Sequence, residues 1–184
     1  GLLGIELHTR RRNRLNGTVL RGDSDGFTVA VGQTFGNCPQ YIQTRTVAAV
    51  GSSERPAAGS VEHLQALDAE AAAVIAAADT FFVTSYVDPD GDPSRRAVDT
   101  SHRGGRPGFV RIDGNVLTIP DFAGNQHFNT LGNLLLNPRA GLLLVDFRSG
   151  DLLQLTGTTE LVFDGAELVS FHGAERLWRL HVKQ

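Results

Sequence analysis

Three polar stretches of the chain carry residue types that could do chemistry. The first is 94–108 (SRRAVDTSHRGGRPG). An arginine pair, Arg95-Arg96, enters a β-type run that ends in Thr100, Ser101 and His102 before a Gly-Gly turn. Strand backbone, hydroxyls and guanidinium groups together can hold a polar planar ring with an anionic tail, because arginine forms forked, charge-assisted hydrogen bonds to such anions. The plainer alternative is an exposed edge strand with a solvated basic loop. The second stretch is 121–133 (DFAGNQHFNTLGN), where Asn125, Asn129 and Thr130 gather at a helix start. Free N–H groups and the positive end of the helix dipole suit a phosphate there. Simple capping by Asn or Thr is the commoner use of such residues. The third is 33–41 (QTFGNCPQY), a polar, aromatic loop between a strand and a helix; its alternative is a tight turn that needs Gly36 and Pro39. Cys38 has no partner motif and reads as packing.

Other chemistries fall away on spacing. Asp88, Asp90 and Asp92 imitate the start of a calcium loop, but Pro93 stands where that loop needs glycine and Asp99 where it needs glutamate. No helical H-x-x-x-H pair occurs, so no metal site is expected. The Walker loop, the G-x-G-x-x-G fingerprint and the G-x-S-x-G elbow are missing from the sequence. Arg10, Arg11, Arg12 and Arg14 form a basic cluster; on a slightly acidic chain this is more often a solvated or ion-paired face, though it could reach an anionic ligand.

These residues must be positioned by a small domain. The chain has 184 residues, 41% hydrophobic and 20% charged, with 17 basic and 20 acidic side chains and a net charge of −3. That is ordinary for a globular domain and leaves no electrostatic footprint for nucleic acid or an anionic membrane. The single cysteine excludes an intrachain disulfide framework and points to a reducing cytoplasm. Strands are expected at 2–7, 13–20 and 27–31, the last two joined by the polar connection 21–26. A short helix is expected at 40–45 after Pro39, a linker at 51–59, and a helix at 61–78 capped by Ser60. From Thr80 the period becomes two: strands at 80–87, 95–101, 109–112, 116–120, 141–147, 152–163 and 176–182, with 102–108 irregular. A helix at 128–136 stops at Asn137-Pro138. Many short antiparallel strands with a few helices argue for a small β-barrel with helical covers.

The chain also repeats itself. Residues 1–18 (GLLGIELHTRRRNRLNGT) align without a gap on 141–158 (GLLLVDFRSGDLLQLTGT) at a constant offset of 140. Gly1, Leu2, Leu3, Leu15, Gly17 and Thr18 recur identically. Two copies of one supersecondary unit explain this, at a period too long for a solenoid. The second copy opens near residue 80, so the first is expected to open about sixty residues ahead of Gly1. The expected organisation is therefore 1–50 as the back half of a first copy, 51–78 as linker and helix, and 79–184 as the second copy.

The strings SHRGG-PGF, IPDF-GN--FNTLGNLL-NPRAGLL-VDF and GDLLQLTG resemble the pyridoxamine 5′-phosphate oxidase-like family of FMN-binding split barrels. GIELHTRRRNRLNG and Q-FGNCP-YIQ-R resemble the N-terminal half of a tandem subgroup of that family. The resemblance implies a mainly β fold with helices: a six-stranded antiparallel split β-barrel, with part of a second, duplicated unit at the N-terminus and FMN where two such units meet. It implies that the stretch from Arg95 through Asp99 to Arg103 lines the flavin, with Arg96 on the phosphate and Thr100, Ser101 and His102 beside the ring. Asn125, Asn129 and Thr130 fall where the family holds the phosphate, although Asn129 and Thr130 stand where the oxidases carry an arginine and a lysine. Gln154 lies on a strand that often faces the flavin. Gln33, Asn37 and Tyr41, from the other copy, are candidates to close the site. The pyridoxamine-phosphate pocket itself is matched by no string.

The expected activity is hydride transfer between flavin N5 and a small organic substrate or NAD(P)H. The cofactor carries the chemistry, so a dedicated acid–base residue is not required, and His102 is the one candidate proton donor. FMN is expected ahead of a deazaflavin, in a homodimer or an intrachain pseudo-dimer, with no nucleic-acid, membrane or metal partner. The rivals are a non-catalytic flavin store and a barrel scaffold without a cofactor.

Overall fold

The computed structural model describes residues 1–36, 39–46, 59–124 and 126–184. In chain order they form β1 (Leu2–Glu6), β2 (Arg11–Asp23), β3 (Gly26–Gly36), α1 (Ala69–Ala77), β4 (Thr80–Val87), β5 (Ala97–Gly104), β6 (Arg111–Asp113), β7 (Val116–Phe122), α2 (Asn129–Leu136), β8 (Arg139–Val145), β9 (Leu152–Val162) and β10 (Ala174–Val182). Two antiparallel sheets result: β1-β2-β3, and a seven-stranded sheet in the order β5-β4-β8-β9-β10-β7-β6. The fold is mainly β, a split barrel with a further sheet at the N-terminus.

Alternation sets the barrel core. Phe81 and Val83 of β4, Leu117 and Ile119 of β7, Leu142 and Leu144 of β8 and Trp178 and Leu180 of β10 turn inward and are buried. Ile75 of α1 and Leu131 and Leu134 of α2 join the same cluster. Burial of each such side chain stabilises by about 1.5–3 kcal/mol, and the Phe81–Phe109 and Phe81–Trp178 ring contacts fix its geometry.

Several elements differ from the sequence expectation. The helix begins at Ala69, eight residues late, because the Asp68 side chain accepts from Ala71 N–H and caps it there. The helix expected at 40–45 is a turn followed by irregular chain, with Tyr41 at φ 65°, a left-handed conformation that cannot propagate a helix. Strand β5 runs on through His102 and Arg103 to Gly104, paired with β4 up to Thr80; the backbone ladder overrides the glycines. Gly104 is required there, since a Cβ would lie 2.2 Å from the Tyr41 carbonyl oxygen. The 51–59 linker lies, but for Gly59, outside the described residues.

The small sheet repeats the register of β8-β9-β10. Leu2 pairs with Leu15 and Leu3 with Arg14; Leu142 pairs with Leu155 and Leu143 with Gln154. Gly17, Thr18 and Val19 face Val31, Ala30 and Val29, as Gly157, Thr158 and Thr159 face Val182, His181 and Leu180. A Cβ on Gly17 would lie 2.2 Å from Ala30 O, and one on Gly157 would lie 2.3 Å from His181 O. The burial differs. Val31, in register with Val182, is 54% exposed and Phe27 is 61% exposed, whereas Val182 is buried. Among the described residues no counterpart of β4 or β7 lies beside the small sheet.

Gly157→Ala and Gly17→Ala should each lose about 1–3 kcal/mol in urea unfolding, because a backbone oxygen cannot retreat from the new methyl. Gly22→Ala, which meets nothing within 4 Å, should change stability by less than about 0.5 kcal/mol.

Candidate functional site

The two sheets are joined through one buried ion pair. Arg14 of β2 reaches Asp99 of the edge strand β5, Nη1 to Oδ1 at 2.6 Å, with Arg14 6% and Asp99 3% exposed. The other Asp99 oxygen accepts from Ser101 Oγ at 2.8 Å and from Thr130 Oγ1 at 3.1 Å, and these two hydroxyls are 3.0 Å apart. Burial pulls the Arg14 pKa down while Asp99 opposes the fall. A buried pair of this kind is held by its completed hydrogen bonds more than by Coulomb attraction alone.

A second anchor follows at 39–46. Arg45 pairs with Asp79 and lies 3.7 Å from the Phe147 ring centroid. Tyr41 donates its hydroxyl proton to Ala123 O at 3.0 Å, and its ring lies 5.6 Å from that of Phe122. Between these anchors a cleft opens. Arg12, Arg14, Gln40 and Tyr41 form one wall; Ser101–Gly104 of β5, the end of β7 and the start of α2 form the other.

The α2 end of the cleft is built for an anion. Phe128 precedes the helix in a left-handed conformation, φ 52°, and no side chain caps the first turn. The first residues of the helix, Asn129 and Thr130, line the cleft, and the N–H groups of this turn carry the positive end of the helix dipole. With its amide turned so that both ends are satisfied, Asn129 donates to His127 O at 3.2 Å and accepts from Arg14 Nη1 at 3.3 Å. Arg103 contributes a further guanidinium, paired with Asp121, which Arg176 also approaches.

His102 lies in the cleft wall, 6% exposed, edge-on to Phe82, and its Nε2 has no hydrogen-bond partner. Burial first, then the Arg12 charge, pushes its pKa down to about 4, with Asp79 opposing. His102 is neutral at pH 7. In this form the ring can offer one hydrogen bond at Nε2 without carrying charge.

The sequence candidates separate cleanly. Ser101, His102, Arg103, Asn129, Thr130 and Tyr41 line the cleft. Arg96 does not: it is exposed and its Nη2 pairs with Asp88 Oδ2, eight residues away, at 2.7 Å. Asp99 is turned to Arg14 and the two hydroxyls instead of a ligand. Thr100 Oγ1 lies 3.3 Å from Thr84 Oγ1 and 3.4 Å from Gly1 O, away from the cleft lining. Gln154 is exposed on β9 and Gln33 is exposed on β3, and neither reaches the cleft. Asn37 and Asn125 lie outside the described residues. Sequence reasoning placed Arg14 in a basic cluster able to reach an anion but did not single it out as a cleft residue, although the repeat places it in register with Gln154.

The pyridoxamine 5′-phosphate oxidase family model matches residues 67–182. The chain belongs to this family. Its barrel is thus of the flavin-binding split-barrel class, and the wall formed by Arg12, Arg14, Gln40 and Tyr41 lies outside the matched residues. A comparison with curated proteins finds no match. Among solved structures the chain is similar to HupZ of Group A Streptococcus, at 14% identity and TM-score 0.45 over 64% of this chain and 90% of that one. It is similar to a Lactobacillus delbrueckii protein proposed to be a pyridoxamine 5′-phosphate oxidase, at 14% identity and TM-score 0.45 over 65% and 92%. It is also similar to Atu2129 of Agrobacterium tumefaciens, of unknown function, at 15% identity and TM-score 0.39 over 60% and 51%. No helix among the described residues is long and apolar enough to cross a membrane.

The donor set fits a flavin phosphate ester. An uncapped helix start, guanidinium groups from both sheets and buried nitrogens such as Arg14 Nε and His102 Nε2, which have no hydrogen-bond partner, suit an anionic tail. Aromatic side chains at Tyr41, Phe109, Phe122 and Phe128 suit a planar ring.

Arg14→Met leaves the Asp99 carboxylate buried without its counter-charge and should cost about 3–5 kcal/mol in urea unfolding. His102 gives a pH signature. The unfolded chain takes up its proton below about pH 6.5, the folded chain only near 4. Stability therefore falls as pH drops through this window, by up to about 3 kcal/mol. His102→Gln should flatten that part of the pH–stability curve; an unchanged slope would show that His102 does not titrate there.

Proposed function

We propose that the cleft binds FMN and that the chain is a flavin-dependent oxidoreductase acting on a small organic substrate or NAD(P)H. The observation that carries this reading is the partnerless, buried His102 Nε2 in a cleft that also holds an uncapped helix start and arginines from two sheets. Unsatisfied buried polar atoms cost about 1–3 kcal/mol each, so a site that keeps them together is complementary to a ligand with matching acceptors.

A bound flavin supplies hydride chemistry at its ring nitrogen N5. The residues of this chain do the rest. The α2 N–H groups and the arginines hold the phosphate. Tyr41 and Phe122 close one side of the ring and limit water. Neutral His102 donates or accepts one hydrogen bond at Nε2 without changing charge near pH 7. Arg103 would add positive charge to the cleft, which would favour an electron-rich ring. In this reading the N-terminal sheet, as part of a second, duplicated unit, plays within one chain the part that a partner subunit plays in a dimer.

The neutrality of His102 also favours a second reading, a flavin carrier without proton chemistry of its own. Both readings predict that FMN titration quenches flavin fluorescence with one site per chain. At a hundredfold excess over Kd, the ligand adds about 2.7 kcal/mol of stability. Turnover of NAD(P)H with an electron acceptor then separates enzyme from carrier. A chain that gives neither quenching nor stabilisation with FMN contradicts both.

A further inference from the structure

α2 has no basic residue of its own: its sequence is NTLGNLLL. A helix N-terminus contributes only partial charge, so a tightly held phosphate there needs a cation from elsewhere. Three guanidinium groups line the cleft, and they differ in position. Arg103 is paired with Asp121, which Arg176 also approaches. Arg12 lies beside His102 and lowers its pKa. Arg14 reaches the first residue of α2, its Nη1 lying 3.3 Å from the Asn129 amide oxygen.

Arg14 is also prepared for a ligand. Its Nη1 is spent on Asp99 and Asn129, and the cation lies 5.5 Å from the Phe35 ring centroid. Its Nε is buried and has no acceptor. A guanidinium that is 94% buried leaves a donor unsatisfied only at a cost, and an acceptor entering the cleft would remove that cost. Asp99 keeps the guanidinium in place by one end, with Ser101 and Thr130 fixing the carboxylate in turn.

We infer that Arg14, delivered by the N-terminal sheet from outside the family-matched residues, is the cation that holds the ligand's phosphate at the start of α2, through Nε–H. This rests on the FMN reading and names a residue for it. The positive charge that α2 lacks in its own sequence is supplied in space by a strand more than a hundred residues earlier.

The test compares FMN with riboflavin, which lacks the phosphate, on the full chain. Wild type should bind FMN at least tenfold more tightly than riboflavin. Arg14→Gln combined with Asp99→Asn removes both charges together and leaves no lone buried ion. FMN affinity in this double variant should fall at least tenfold, toward that of riboflavin, with the far-ultraviolet circular dichroism unchanged. A readout on wild type covers the case in which the variant fails to fold: in a 15N-arginine-labelled chain the Arg14 Nε–H resonance should move on adding FMN and stay on adding riboflavin. A double variant that keeps the tenfold preference, or an Nε–H resonance that ignores FMN, overturns the assignment to Arg14 while the FMN reading stands. A wild-type chain that binds neither compound overturns both.

Discussion

The Arg14–Asp99 pair is the interaction on which the rest of the arrangement depends. It spans 85 residues of sequence and is nearly closed to solvent at both ends. Moving two charges out of water costs several kcal/mol per ion, and only good geometry and completed hydrogen bonds offset this. The Ser101 and Thr130 hydroxyls provide that completion. The pair therefore does more than fasten one sheet to the other. It fixes β5, the start of α2 and β2 relative to one another, and these three elements are what bound the cleft.

The barrel and the small sheet meet the same backbone problem in the same way. At Gly17 and Gly157 the neighbouring strand comes so close that no side chain fits, and the registers on either side correspond pair by pair. The energetic outcome diverges because β10 has β7 beside it and the core behind it, whereas Phe27 and Val31 have neither among the described residues. The small sheet is consequently held by its charged inner end, near Arg12 and Arg14, and not by an apolar core of its own.

Period and turn chemistry made most strands legible. The run 80–87 could only be a strand, and Asn137-Pro138 had to end α2. Where the reading failed, a non-local force decided. Apolar spacing from residue 61 suggested helix, but Asp68 offered a better cap inside the run. Two glycines after His102 suggested a loop, but β4 supplied a ladder to extend. The site shows the same division. Ser101, His102, Asn129 and Thr130 sit in short motifs and line the cleft. Arg96 sits in the same motif but pairs with Asp88 across a surface turn, outside the cleft lining. Arg14 belongs to a basic cluster that reads as a solvated or ion-paired face with some reach toward an anion, and its partner Asp99 lies too far along the chain for any local pattern to single it out.

The central claim is that one ligand is held between the two sheets at the start of α2. Backbone amide shifts of the 15N-labelled chain during an FMN titration test it most directly. The account predicts saturable shifts that appear together at Arg12 and Arg14, at His102 and Arg103, and at Asn129 and Thr130. Shifts confined to one of these segments, or clustered on the exposed surface around Arg96 and Asp88, would contradict it.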